Sequence, residues 1–326
     1  MKKINYKCPK CTSLNFKNFE NSITCEKCLQ EYSIIDGVID FLFEPSKDVI
    51  KELTGMALEN NYDPKDYLKF KIKYPKNPIK ISEKLKSTQG DYNQYYQQTL
   101  VNFYQAFEQI KNDYNFKKAK VLEIGSCLDY YFLKPFKELG AECFALNIHF
   151  NLVAELEFKN FPHKILADMN GLPFADNSFE VIVISATSHH SNTPDLLIKE
   201  ISRVLKPNGQ CLMINDPISG LIKNLGKELS QVRHDHINEN EYTLQLYNQL
   251  FKKYDLKYTH LFSEYHDLKL QSMKIHPKMR FARIAKLITY FWKINFLRKF
   301  LKNYCLSIAQ KFFGFPMNVI LKKESK

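Results

Sequence analysis

Four cysteines near the start of the chain have the type and spacing of a metal site. Cys8, Cys11, Cys25 and Cys28 form two CxxC pairs separated by thirteen residues. Each pair can present two thiolates from a tight turn, and four thiolates satisfy a tetrahedral Zn²⁺. The competing reading is a set of free or redox-active thiols. A second group of candidates is the histidines. His189 and His190 follow an apolar run ending at Ser185, and His234 and His236 follow the next such run. Histidine titrates in the range needed for proton transfer at neutral pH. His190 and His234 are the candidate general bases; surface or structural histidines are the alternative. The third group is the turn in VLEIGSCLDYY, where Gly125 ends a short apolar run. Cys127 and Asp129 stand where a nucleotide-binding turn would place further glycines.

The elements that must position these residues follow from the hydrophobic pattern. Strands are expected at Val121–Ile124, Cys143–Asn147, Lys164–Ala167, Val181–Ser185 and Cys211–Asn215. Helices are expected at Tyr131–Leu139, around Asn151–Lys159 and at Pro194–Leu205, with the turn Lys206–Gly209 breaking the last of them. Continuous apolar strands alternating with helices mean a parallel sheet covered on both faces. Further on, a helix is expected at Tyr242–Tyr254, a strand near Lys257–Phe262, and a last strand in PMNVILKK. The predicted fold class is α/β: a Rossmann-like, doubly wound, mostly parallel sheet with an antiparallel last strand. A small N-terminal zinc ribbon and a C-terminal helical insertion are added to it. The expected organisation is a ribbon over residues 1–45, a helical linker or lid over 46–118, and the α/β domain over 119–326 with a basic insertion at 275–314. In the linker, Tyr96, Leu100, Phe103, Phe107 and Ile110 recur at helical spacing within Asp91–Asn115.

Composition sets bounds on function. With 326 residues and 44% hydrophobic content the chain can bury a substantial core. The start, MKKINYKCPK, turns polar at once and lacks a signal peptide's apolar core, so a cytosolic protein is expected. Cys127, Cys143, Cys211 and Cys305 are scattered among apolar neighbours, as befits a reducing compartment rather than a disulfide framework. The net charge of +12 is uneven. Residues 1–45 carry six basic and six acidic side chains, whereas residues 273–326 carry thirteen against one. Attraction to an acidic partner therefore belongs to the C-terminus.

The pieces VLEIG, LPFADNSFEVIVISATSHH and LLIKEISRVLKPNGQCLMIND resemble the class I S-adenosylmethionine-dependent methyltransferases, in particular the group that includes the ubiquinone and menaquinone biosynthesis methyltransferases. The resemblance spans about Val121–Asp216. The ribbon joined to such a domain is similar to the bacterial guanine-N1 ribosomal RNA methyltransferases and to small zinc-ribbon activators of tRNA methyltransferases. By this resemblance the cofactor is S-adenosylmethionine. Glu123 anchors the first loop and the methionine amine, and Gly125 gives the close backbone approach. Cys127 lines the loop. Asp168 meets the adenine amine, with Met169 against the ring, and Ser185 stands beside the reaction centre. Asn147 replaces the acid that grips the ribose, so it lacks charge assistance. Tyr92, Tyr95 and Tyr96 begin a helix that lids the cofactor in this family.

The basic insertion admits several readings. As a helix, Leu297, Phe300, Leu301, Tyr304, Ile308 and Phe312 make one apolar stripe beside Arg298, Lys299, Lys302 and Lys311. With Trp292 this suits a helix lying on an anionic membrane surface through residues 278–313. A packed helical pair with a solvated basic face is the alternative, and RNA is a further acidic partner. The expected function is methyl transfer to an unidentified acceptor. A lipid-linked or surface-glycan precursor at the inner membrane face heads the acceptor classes. The rivals are an RNA methyltransferase that uses the ribbon as an RNA grip and a non-catalytic methyltransferase-like scaffold.

Overall fold

The computed structural model describes residues 6–59, 91–126, 130–149, 161–220, 238–262, 282–298 and 316–325. In chain order the N-terminal part holds β1 (Phe16–Asn18), β2 (Ser22–Cys25), β3 (Glu31–Ile35), β4 (Val38–Asp40), α1 (Lys47–Glu59) and α2 (Asp91–Ile110). The central part holds β5 (Lys120–Ile124), α3 (Lys134–Glu138), β6 (Glu142–Asn147), β7 (His163–Leu166), β8 (Phe179–Ser185), α4 (Pro194–Val204) and β9 (Leu205–Asp216). A two-residue pair, β10 (Ile218–Ser219) and β11 (Tyr242–Thr243), leads to α5 (Leu244–Lys253), β12 (Leu256–His260), α6 (Ala282–Lys293) and β13 (Met317–Lys323).

The central strands are near-continuous apolar runs because both of their faces are covered. Val121, Leu122, Val181, Ile182, Val183, Ile184, Leu212 and Met213 are all buried. Strands β7, β6, β5, β8 and β9 are parallel, in that spatial order. β13 inserts antiparallel to β9, and β12 pairs antiparallel with β13 at the edge. β5 lies at the centre, with the chain crossing first to β6 on one side and later to β8 on the other. Ligands of such sheets sit at this switch point, beyond the carboxyl ends of the strands.

The elements expected within the described residues appear with two adjustments, and the helix expected around Asn151–Lys159 lies outside the described residues. The helix expected at Tyr131–Leu139 forms only over Lys134–Glu138, where Pro135 starts it. Lys206–Gly209, expected as a break, is absorbed into β9 as an irregularity: Phe179 pairs with Leu205 and Val181 with Gln210. Asn208 takes the left-handed backbone there, with φ of 62°.

The ribbon segment continues the sheet. β1 to β4 form an antiparallel meander closed by the Asp36–Gly37 turn, where both residues have positive φ. β4 then pairs in parallel with β7, so Val38, Ile39 and Asp40 face Lys164, Ile165 and Leu166. β7 would otherwise be a bare edge. So small a segment cannot fill a core alone, and its Ile23, Tyr32 and Phe41 share one apolar cluster with Phe144, Phe174 and Phe179.

α1 packs Val49 and Leu53 into the cluster on the other face. α2 adds Phe103, Phe107 and Ile110 to it, with ring contacts to Phe132 and Phe136. The side chains of Tyr92, Tyr95 and Tyr96 lie outside the described residues. Among the described residues, no helix is long and apolar enough to cross a membrane.

Candidate active site

At the end of β5 the backbone of Gly125 turns left-handed, with φ of +74°. A Cβ there would stand 2.3 Å from the Thr187 side chain, so glycine is required both by conformation and by space. Thr187 is fixed by its hydroxyl donating to the Ser185 carbonyl at 2.7 Å. Ala186 and Asn215 also take left-handed backbone at the ends of neighbouring strands, with φ of 45° and 60°. Strain is thus gathered along this edge of the sheet, as at many functional sites.

Glu123 lies buried behind the Gly125 turn. Burial pushes its carboxyl up to about 8, opposed by the adjacent Ser126 hydroxyl. Among the described residues, its Oε2 and the Ser126 Oγ are buried with no hydrogen-bond partner. A buried acceptor left without a donor is costly, and at the turn end of β5 it is open to a ligand's donor. An ammonium group would satisfy both and favour the ionised carboxylate.

Asn147, expected at the ribose, is engaged within the protein. Its amide donates to the Ser126 carbonyl at 2.7 Å, and its Oδ1 accepts the His149 N–H at 3.0 Å. It thereby latches the first loop to the end of β6. One N–H and one lone pair are left over for a ligand. Asp168 is half-buried, and burial raises its carboxyl against the opposing Asn170 N–H at 2.8 Å. Met169 packs beside it on the apolar cluster. Ser185 ends β8 half-buried. Glu123, Gly125, Asn147, Asp168, Met169 and Ser185 thus all stand at or next to the carboxyl ends of β5, β6, β7 and β8. Cys127 and His234 lie outside the described residues.

His190 belongs to a polar cluster on the same edge. Its Nδ1 is 3.0 Å from Glu52 Oε1 and 2.8 Å from the Asn238 carbonyl. The other Glu52 oxygen accepts the Asn238 N–H at 2.7 Å. Burial alone would lower His190, but Glu52, Glu239 and the Asn238 carbonyl outweigh it and hold the imidazole above its ordinary value. Burial likewise works to raise Glu52, and the His190 contact overrides it downward. The His190 side chain keeps 24% of its surface open, so it can meet a ligand. Burial drives the nearby His149 down to about 4, against the pull of Glu52, so it stays neutral. His189 is held separately, with Nδ1 3.2 Å from Asp216 Oδ1. His189, His190 and Glu239 also bring ligand-type atoms within 4.8 Å of one another. Both Nδ1 atoms are already committed to carboxylates, so this cluster reads as a hydrogen-bonded network.

Sequence reasoning missed Glu52, Asp216 and Asn238. Asp216 carries a signal, since it ends an apolar strand at the ligand edge. Glu52 carries none: it sits on α1, and only the docking of α1 over the sheet edge brings it to His190.

The most specific sequence pieces serve positioning. Arg203 donates to the carbonyls of Leu172 (2.9 Å) and Phe174 (2.6 Å) and pairs with Glu200 (2.7 Å) and Asp176 (2.8 Å). Glu200 in turn accepts the Leu172 N–H at 2.8 Å. This clamp pins the loop after Asp168 to α4. It accounts for LPFAD and EISRV occurring together.

The four ribbon thiols converge. Cys8 and Cys28 sulfurs are 3.7 Å apart, Cys11 and Cys25 sulfurs 3.5 Å, and all four lie within 4.8 Å of one another. A tetrahedron with metal–sulfur bonds of about 2.3 Å has edges of about 3.8 Å. The Tyr32 hydroxyl lies 3.1 Å from the Cys8 sulfur as an outer partner.

Residues 122–213 match the family model described as a methyltransferase domain. The central segment is therefore similar to a methyltransferase domain. An uncharacterised chloroplastic methyltransferase of Arabidopsis thaliana is 33% identical over 98 residues, covering 27% of this chain and 28% of that protein. The ubiquinone/menaquinone biosynthesis C-methyltransferase of Haemophilus ducreyi is 40% identical over 63 residues, covering 18% of this chain and 24% of that protein. The demethylmenaquinone methyltransferase of Staphylococcus haemolyticus is 39% identical over 69 residues, 20% and 28% of the two chains. The matched part spans about a quarter of these relatives' own length. Among solved structures, the YcgJ protein of Bacillus subtilis aligns at 18% identity and a TM-score of 0.44 over 67% of this chain and 97% of that one. All the expected donor-site residues of the methyltransferase domain fall inside the matched segment. Glu52, Asp216, Asn238 and the four ribbon cysteines fall outside it.

Proposed function

We propose that the chain is an S-adenosylmethionine-dependent methyltransferase. The observation that carries this reading is the unpartnered, buried Glu123 oxygen behind the Gly125 turn, inside the segment that matches a methyltransferase domain. S-adenosylmethionine supplies an electrophilic methyl group on a sulfonium and has no phosphate, so it does not need a glycine-rich cradle. Glu123 and Ser126 would hold its ammonium group. Asp168 and Met169 would meet the adenine, and the spare N–H of Asn147 would reach the ribose. His190 would take the proton from a protic acceptor, with Glu52 fixing the Nδ1–H tautomer and leaving Nε2 as the base.

The four thiols would hold one structural Zn²⁺, with no open position for chemistry. The acceptor class we favour is an amphiphile such as a lipid-linked or surface-glycan precursor, met at the cytosolic face of a membrane. Isothermal titration with S-adenosylmethionine tests the donor half: wild type is expected to give saturable heat, and Gly125→Ala none. Absence of heat from wild type at millimolar ligand would end the enzymatic reading. Elemental analysis of the purified chain tests the metal, with one zinc per chain expected.

A further inference from the structure

The lone tryptophan corrects one expectation. Trp292, expected as a membrane-interface anchor, is 0% exposed and packs its ring 5.3 Å from Phe262. The opposite face of α6 is left apolar and open. Leu287 is 55% exposed, Tyr290 64%, and Phe291 is also exposed, as are Ile294 and Phe296 just beyond the helix. At about 100° per residue, Leu287, Tyr290 and Phe291 fall on an arc of about 100°, with Trp292 on the far side. Arg283 joins this arc, and Lys286 and Lys293 flank it, all three exposed. The stretch 282–298 contains no acid. The stripe expected from Leu297 onward falls outside the described residues, except Leu297 itself, which is half-buried.

Strand polarity places this face. β13 starts with Met317 opposite Asp216, the last residue of β9. β12 runs the other way and ends at His260 opposite Val319, and the Leu261 N–H donates to the Asn318 carbonyl at 2.8 Å. Phe262, which receives Trp292, therefore lies at the carboxyl edge of the parallel strands. This is the edge that carries Gly125, Asp168 and His190. β12 is three strands from β8, roughly 15 Å at the usual strand spacing.

We propose that the outward face of α6 docks on an anionic lipid bilayer. Leu287, Tyr290, Phe291 and Ile294 enter the headgroup boundary, and Arg283, Lys286 and Lys293 meet lipid phosphates. The docked helix turns the site edge toward the membrane, so the methyl acceptor is an amphiphile held in that bilayer. The statement about the acceptor rests on the methyltransferase reading; the docking does not.

Flotation of the full chain with vesicles of phosphatidylcholine and phosphatidylglycerol at 3:1 tests this. Wild type is expected to float with these vesicles and not with pure phosphatidylcholine. Leu287→Glu combined with Tyr290→Glu should reduce the bound fraction at least tenfold, and Lys286→Glu combined with Lys293→Glu should remove the dependence on anionic lipid. Unchanged Trp292 emission certifies that α6 stays docked in each variant. Wild type that fails to float overturns the proposal, as does a double variant that floats like wild type. So does a wild-type dimer that the Leu287/Tyr290 variant turns into monomers, which would make the face a contact between copies. Titration with S-adenosylmethionine on the same samples separates the two readings. Flotation without cofactor binding sinks the enzyme and leaves the docking. Binding without flotation does the reverse.

Discussion

The two polar clusters of this protein are built in opposite ways. The thiol cluster draws its ligands from 21 consecutive residues, Cys8 to Cys28, on two tight turns. The cluster around His190 draws Glu52, His149, His190 and Asn238 from four separated segments that meet only at the sheet edge. A locally encoded site is specified by spacing and stabilises its own segment. A site assembled from afar is specified by the whole fold and carries its strain. The first should fail by unfolding, and the second by loss of geometry with the fold intact.

The largest effect that tests this contrast is removal of the zinc proposed for the four thiols. Metal binding by four thiolates contributes on the order of 10 kcal/mol in small zinc modules. Here the ribbon shares its core with Phe144 and Phe174, and β4 covers β7, whose end leads to Asp168. Chelation, or Cys25→Ser, should therefore do more than unfold an appendage. It should lower the melting temperature of the whole chain by more than 10 °C and weaken cofactor binding. A chain that loses zinc but keeps its melting curve would show that the ribbon is energetically separate.

Next in size is the clamp at Arg203. It is largely buried and satisfies two carbonyls and two carboxylates. Arg203→Ala should cost about 3 kcal/mol in urea unfolding, because Glu200 and the loop carbonyls lose their donors. Arg203→Lys should recover only part, since an ammonium cannot make the fork.

Gly125→Ala should cost about 2 kcal/mol, from positive φ and the clash with Thr187. Gly125→Ala combined with Thr187→Gly removes the clash and leaves the φ strain. The double variant should therefore be more stable than the sum of the singles, a coupling that a double-mutant cycle reads directly.

Legibility in the sequence follows the same contrast. The convergence of the four thiols and every central strand could be read locally, because CxxC spacing and continuous apolar runs are properties of neighbours. Gly125 could be read as a turn, but its reason, the Thr187 side chain, sits 62 residues away. The partner of His190 could not be found, because Glu52 lies in an ordinary amphipathic helix. Trp292 was misplaced for a related reason. Its pattern fits a membrane-surface helix equally well with either face inward, and tertiary packing, including its contact with Phe262, decides.

Glu123 offers a pH test. Its carboxyl is raised to about 8 by burial, so the folded chain holds a proton there that the unfolded chain has already lost. Between its unfolded value near 4.5 and about 8, stability of the ligand-free protein should fall with rising pH, by up to about 1.4 kcal/mol per unit. Glu123→Gln has no proton to lose. Urea unfolding at pH 5 and pH 8 should show a smaller pH penalty in this variant than in wild type. Equal penalties would mean that the carboxyl is solvated.

The smallest effect is the most diagnostic of a site assembled at a distance. Glu52 and Glu239 face His190 with negative charge, His149 faces it neutral, and the Asn238 carbonyl accepts from it. With Glu52 in place His190 is raised, so its contribution to stability is full at low pH and fades as pH rises through the folded value. Glu52→Gln removes the pair but keeps an acceptor. Histidine resonances followed by NMR should then show one imidazole whose pKa falls, toward the value that burial alone dictates. Glu52→Asp should fall between the two. An unmoved titration in Glu52→Gln would mean that α1 does not hold its carboxylate over the sheet edge, and the His190 cluster would then lose the member that comes from the N-terminal part of the chain.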